Sequence, residues 1–222
     1  MQNARLLACA RFVRPGAHVC DVGTDHAQLP VYLLEQGIAQ EVIASDIGEG
    51  PLQSAERTIA QHGLTGRIRT ILSDGLANVP PEGLTDIIIA GMGGETMVHI
   101  LADCPFSLAE RRLILQPMSK AEILREWLLR SGFAIREEVC VPDGKFLYAV
   151  LYAEYTGIPA VPAPAEIWFG AMDLHEENAR AYAVRQQNRL ERRLCSIREA
   201  GQEDAALAEA VEALNRRLEE TA

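Results

Sequence analysis

Lysine is nearly missing: of 21 basic residues 2 are Lys and 19 are Arg. Any phosphate-binding surface must therefore be built from guanidinium forks rather than ammonium point charges. Aromatic residues make up only 5% of the chain, which suits a small substrate more easily than extensive base stacking. No run of about 18 uninterrupted apolar residues occurs, so no transmembrane helix is expected. The opening Met1-Gln2-Asn3-Ala4-Arg5 lacks the basic-then-apolar layout of a secretory signal, and the cytoplasm is the expected location. The five cysteines (Cys9, Cys20, Cys104, Cys140, Cys195) form no C-x-x-C pair. That scatter argues against a disulfide framework and a zinc site, and no metal is expected. Neither a Walker string nor G-x-G-x-x-G is present, which removes support for phosphoryl transfer and for dinucleotide binding.

What is present is ordinary for a globular protein. The 222 residues are 48% hydrophobic and 23% charged, enough for one buried α/β domain with a small appendage. The formal charge of −10 opposes a nucleic-acid partner unless positive charge is gathered locally.

Residues 1–14 predict an amphipathic helix with Leu6, Leu7, Ala10 and Val13 on one stripe, stopped by Pro15-Gly16. Short apolar runs then alternate with helical segments. Strands are expected at 17–21, 41–46, 67–72, 85–90 and 112–115. Helices are expected at 29–36, 51–62, 95–101 and 120–131, with Gly37, Gly63 and Gly132 as stops. Runs 133–141 and 146–154 flank Pro142-Asp143-Gly144 and predict a hairpin. Five β-α steps closed by an antiparallel hairpin are the order of a class I, Rossmann-like methyltransferase sheet in the α/β class. Residues 1–156 form this expected domain, and 157–164 a Pro/Ala-rich, semi-rigid linker. In 165–222, Leu190, Leu194 and Ile197 share one helical stripe, and Leu207, Val211, Leu214 and Leu218 another. They predict a coiled-coil-like antiparallel helical hairpin turning at Ala200-Gly201-Gln202.

Ligands of doubly wound sheets lie across the carboxyl ends of the strands. Four such ends carry special strings: Asp21-Val22-Gly23-Thr24-Asp25-His26, Asp46, Ser73-Asp74-Gly75 and Gly91-Met92-Gly93-Gly94. Gly23 admits a close backbone approach. An acid closing the second strand suits two ribose hydroxyls, and one closing the third suits an adenine amino group. Asp21 and Asp25 would repel a pyrophosphate but attract a sulfonium and an ammonium. The set therefore predicts S-adenosylmethionine, with Asp21, Gly23, Thr24, Asp46, Ile47, Ser73, Asp74, Gly75, Gly91 and Met92 as candidate cofactor-binding residues. Any one such Asp, taken alone, is an equally ordinary helix cap or turn residue.

The same strings resemble the bacterial tRNA (adenine-22-N1)-methyltransferases of the TrmK type. The resemblance rests on Asp21-Val22-Gly23-Thr24-Asp25-His26-Ala27 with Leu29-Pro30, Asp46-Ile47 with Gly50-Pro51-Leu52, and Ser73-Asp74-Gly75. Ala90-Gly91-Met92-Gly93-Gly94, Leu115-Gln116-Pro117, Arg5-Leu6 and Gly144-Lys145-Phe146 are also similar. It spans essentially the whole chain and implies methylation of adenine N1 in tRNA. Two positions depart from the family: Gln28 stands where an aromatic is usual, and Gly48-Glu49 where an Asn is common.

Adenine N1 needs no general base, so in-line placement dominates. Asp25 is the first catalytic candidate, as an acceptor for the exocyclic amine, and His26 the second. The [DN]-P-P-[FY] string of amino-group methylation is replaced by Gly91-Met92-Gly93-Gly94. A paired target base would have to flip out, and Met92 is placed at the pocket entrance. Arg185, Arg189 and Arg192 form a stripe with Arg193 beside it, and with Arg5, Arg11 and Arg14 they are the expected phosphate contacts. A solvated face of intrahelical ion pairs explains such a stripe equally well. Two other readings stay open: a methyltransferase acting on a small molecule, and a non-catalytic module that binds S-adenosylmethionine. The expected assembly is a monomer or weak homodimer.

Overall fold

The computed structural model describes residues 3–221, so Met1, Gln2 and Ala222 lie outside the described residues. The chain runs α1 (Ala4–Phe12), β1 (Ala17–Val22), α2 (Gln28–Glu35), β2 (Ala39–Asp46), α3 (Glu49–Gln61), β3 (Ile68–Leu72), β4 (Asp86–Gly93) and α4 (Gly94–Ala102). It continues through β5 (Arg112–Ser119), α5 (Ala121–Arg130), β6 (Phe133–Asp143), β7 (Phe146–Tyr155), α6 (Pro164–Trp168), α7 (Glu177–Glu199) and α8 (Ala205–Glu220).

One seven-stranded sheet has the order β3-β2-β1-β4-β5-β7-β6. Strands β1 to β5 are parallel, and β7 is antiparallel to both β5 and β6. The central strands β4 and β5 are apolar on both faces, at residues 87–89 and 113–115, because helices cover both. Ile88 and Ile114 pack with α1, α2 and α3, whereas Ile87, Ile89, Leu113 and Leu115 pack with α4 and α5. The alternation is the period-2 register of a strand. The strand order reverses between β1 and β4, which opens a crevice at their carboxyl ends.

Several details differ from the sequence reading. The first helix stops at Phe12, and Val13 is extended; Pro15 restricts Arg14, and helices usually end at or before the residue that precedes a proline. Its buried face is Ala8, Cys9, Ala10 and Phe12, so Leu6 and Leu7 are only half-buried. The step from β3 to β4 has no helix in residues 73–85, where Pro80-Pro81 and Gly83 interrupt any helical run. The fifth strand runs on to Ser119, and α6 begins at Pro164, where a missing N–H costs nothing.

The C-terminal helices sit on the sheet. Phe169, Leu174, Tyr182 and Leu190 share a core with Ala149 of β7. Within it, Arg125 of α5 and Glu138 of β6 form an ion pair at 2.6 Å with both side chains fully buried. Arg125 also donates to the carbonyl of Ile167 at 2.9 Å, and Glu138 accepts from the N–H of Ala171 at 2.9 Å. The residues of 157–164 are tied down too: Gly157 N–H donates to Gly132 O and Ala160 N–H to Leu129 O. A buried charge without its partner is costly. Arg125→Ala is expected to destabilise the fold by about 3–5 kcal/mol. The double replacement Arg125→Met with Glu138→Leu should cost much less than the sum of the two single removals. Denaturant unfolding of the three variants checks this.

Candidate active site

The first loop is fastened to the neighbouring strand. The N–H groups of Gly23 and Thr24 both donate to Ser45 O, at 2.8 and 3.0 Å. Gly23 holds φ +75, open to glycine at no cost, whereas Asp25 and Ala27 take φ 51 and 52 against their preference. The Asp46 carboxylate accepts from Gly48 N–H at 2.9 Å and from Asp25 N–H at 3.4 Å. Asp46 O accepts from Ser73 N–H at 2.9 Å. Three strand ends are thereby locked together.

Two cavities share Gly23 as a wall. The larger, about 440 Å³, is lined by Gly23, Asp46, Ile47, Ser73, Asp74, Gly75 and Met92, together with Leu76, Ala77, Thr96, His99, Ile100 and Asp103. The smaller, about 290 Å³, is lined by Asp21, Gly23, Thr24, Asp25, His26 and Gly91, with Asn3, Arg5, Leu6, Gln28, Leu29 and Ala90. A side chain on Gly23 would strike the Met92 methyl. Gly94 is needed for another reason: a Cβ there would run into the Lys120 carbonyl, so α4 starts pressed against the end of β5.

The walls are acidic and partly unsatisfied. Asp21 is only 5% exposed. Burial, reinforced by the charge of Asp46, pushes its carboxyl up from 3.8 to about 6. The Thr24 hydroxyl, buried beside this carboxyl, holds the rise back but makes no hydrogen bond of ordinary geometry among the described residues. Its unused hydrogen-bonding capacity suits a polar ligand. His26 Nε2 stands 3.5 Å from Asp25 Oδ2, with both side chains exposed.

All ten candidate cofactor residues reach one cavity or the other, and so do Asp25 and His26. Ser73 is there with its hydroxyl spent: it donates to Gly75 O and accepts from Asn78 N–H. Gln28 lines the smaller cavity; Glu49 opens α3 and lines neither. The arginines divide. Arg5 is not free for phosphate, because it pairs with Asp143 at 2.8 Å and donates to Gln116 Oε1 at 2.9 Å. Gln116, fully buried, also accepts from Gly91 N–H, so it joins α1 to the carboxyl end of β4. Arg14 pairs with the buried Asp86. Arg189 pairs with Glu122 at 3.0 Å and lies over Trp168. Arg11, Arg192 and Arg193 are exposed without an acidic partner among the described residues. Arg185 reaches Lys145 O.

The α4 wall (Thr96, His99, Ile100, Asp103) and the Arg5–Gln116 link went unassigned in the sequence reading. The α4 residues fall on helical spacing after Gly94, which was a usable signal; the pairing of Arg5 with Gln116 and Asp143 had none.

Residues 2–151 match the family described as a methyltransferase domain. The tRNA (adenine(22)-N(1))-methyltransferase of Bacillus subtilis is 38% identical over 153 residues, covering 68% of this chain and 64% of that protein. This match spans less than two thirds of the curated relative. A Streptococcus pneumoniae protein, a candidate tRNA (m1A22) methyltransferase solved in complex with S-adenosyl-L-methionine, is 33% identical with a TM-score of 0.84. That likeness covers 98% of this chain and 100% of the other. The B. subtilis M1A22 tRNA methyltransferase TrmK is 28% identical with a TM-score of 0.80, over 99% of this chain and 96% of that one.

Because the folded Asp21 carboxyl lies above its unfolded value, ionising it destabilises the ligand-free fold as pH rises through about 6. Asp21→Asn is expected to stabilise the ligand-free protein at pH 7.5 by on the order of 2 kcal/mol. The gain should fade as pH is lowered from about 6 towards 3.8. Thermal unfolding across that range reads the effect.

Proposed function

The chain belongs to the methyltransferase-domain family, and on that premise we propose that it methylates N1 of an adenine in tRNA with S-adenosylmethionine as donor. One observation carries this reading: two acid-lined cavities lie side by side at the carboxyl ends of the strands and share Gly23 as a wall. A donor along one and an acceptor in the other would face each other at that bare backbone. The names of the relatives point the same way.

The donor fits the residues present. The Thr24 hydroxyl and the buried Asp21 suit an amino-acid head group, and the bare backbone of Gly23 lets a ligand lie against it. Asp46 takes the two ribose hydroxyls. Its carboxylate has about four acceptor sites, of which the Gly48 and Asp25 N–H groups use two. Asp74 receives the adenine amino group at the rim, with Ile47 and Ile100 against the ring. Bound there, the sulfonium supplies an electrophilic methyl.

On the acceptor side, the flipped adenine enters the smaller cavity at the mouth formed by Asp25 and His26, and the inner end at Asp21 and Thr24 is left to the donor's amino-acid group. The N1 lone pair forms the new bond to carbon as the carbon–sulfur bond breaks, so positive charge appears on the ring. Asp25 accepts a hydrogen bond from the exocyclic amine and stabilises that charge; His26 beside it orients the carboxylate. Arg5, Gln116 and Gly91 hold the floor of the cavity.

The phosphate footprint is assigned to Arg11, Arg185, Arg192 and Arg193, with Arg189 contributing less because Glu122 already holds it. In this reading the protein acts as a monomer or weak homodimer in the cytoplasm. No helix among the described residues is long and apolar enough to cross a membrane.

Incubation with labelled S-adenosylmethionine and unmodified bulk tRNA should yield 1-methyladenosine on nucleoside analysis. Replacing Arg192 and Arg193 by Ala should flatten the salt dependence of tRNA binding by a slope of about two, about 0.9 for each lost phosphate contact. Absence of transfer to any tRNA while the donor binds tightly would remove the tRNA assignment.

A further inference from the structure

The turn joining β6 to β7 lies between the acceptor cavity and the arginine face of α7, and the function just proposed assigns it nothing. Its residues Asp143 and Phe146 pair directly across the hairpin. On one side Asp143 holds Arg5, a wall residue of the smaller cavity, at 2.8 Å. On the other, the Arg185 guanidinium donates to the Lys145 carbonyl at 3.2 Å. An RNA strand that follows the α7 arginines into the cavity must cross this turn.

Phe146 is 53% exposed at its tip, in a chain with 5 Phe, 5 Tyr and 2 Trp in all. The other exposed aromatic, Tyr155, sits at the far end of the same strand, β7, and packs against Phe133 at 5.2 Å. Phe146 has no such cover. Its neighbours are the Lys145 ammonium, 5.3 Å from its ring centroid, and Tyr148 at 6.1 Å. Tyr148 in turn lies 5.2 Å from the Arg5 guanidinium. From the tip to the cavity wall, two aromatic rings, Phe146 and Tyr148, are thus flanked by a cation at each end, Lys145 and Arg5. An apolar ring kept in water beside a cation suits a ligand with a flat π-face and a phosphate attached. An apolar peptide would gain nothing from the charges.

We propose that Phe146 is a stacking platform for an unpaired nucleobase of the RNA substrate, next to the adenine being methylated, with Lys145 on the phosphate of that nucleotide. The platform compensates in part for the unstacking that base flipping requires. This inference rests on the tRNA reading above.

The test compares Phe146→Ala, Phe146→Leu and Phe146→Trp with the unaltered protein, using unmodified tRNA and S-adenosylmethionine. Phe146→Ala should raise the KM for tRNA roughly ten-fold, the scale of one lost base–aromatic stack. The affinity for S-adenosylmethionine, measured by calorimetry, should not change, nor should the unfolding midpoint. Phe146→Trp should restore the KM, and Phe146→Leu should not. An unchanged KM in Phe146→Ala, or full rescue by Leu, overturns the platform while leaving the tRNA reading intact. A changed oligomeric state by light scattering with an unchanged KM would make the ring a self-association contact and also overturn it. If the unaltered protein methylates no tRNA, the substrate reading and this inference fall together.

Discussion

Everything at the site depends on two N–H groups converging on one carbonyl. Ser45 O holds both Gly23 and Thr24, and at Gly23 a glycine takes the required φ of 75 without strain. That bond pair bends the chain over the end of β2 and aims Asp21 and Asp25 to one side of Gly23 and Asp46 to the other. Strain at Asp25 and Ala27 is the cost of the bend. It is carried by the buried strands beneath, where Ile87, Ile88 and Ile89 allow no slack.

The strand ends were legible in the sequence because an acid or glycine closing an apolar run is a local pattern. Asp21, Asp46, Ser73-Asp74-Gly75 and Gly91 could be located without knowing which strand lies beside which. The parallel sheet with its closing antiparallel hairpin followed from the alternation of runs and helices. What could not be read were contacts between distant residues. Nothing near Arg125 announces Glu138 as its partner, and nothing near Arg5 announces Gln116 and Asp143. Arg5 looked like a surface cation and is a wall of the acceptor cavity. The Pro/Ala-rich stretch reads as a semi-rigid linker, and nothing in it announces that Gly157 and Ala160 bond to the end of α5.

The charge balance also resolves locally. A chain of net charge −10 gathers Asp21, Asp25, Asp46 and Asp74 at the cavities proposed for a cationic donor, and carries exposed arginines on α7. Some arginines are internal fasteners: Arg125 seats the C-terminal helices on β6, Arg14 anchors to Asp86, and Arg112 holds Glu154. Only those left over are available to phosphate, which is why counting arginines along a helix overstates a nucleic-acid face.

The central claim is that Asp46 both closes the first loop and receives the donor's ribose. The direct measurement is calorimetric titration of Asp46→Asn and the unaltered protein with S-adenosylmethionine, alongside their unfolding midpoints. The amide keeps one acceptor oxygen for the loop but loses the second and the charge. Binding should weaken at least about ten-fold, the scale of one charged hydrogen bond, while the midpoint shifts by only a few degrees. Unchanged affinity in a folded variant would contradict the account and move the donor away from the end of β2.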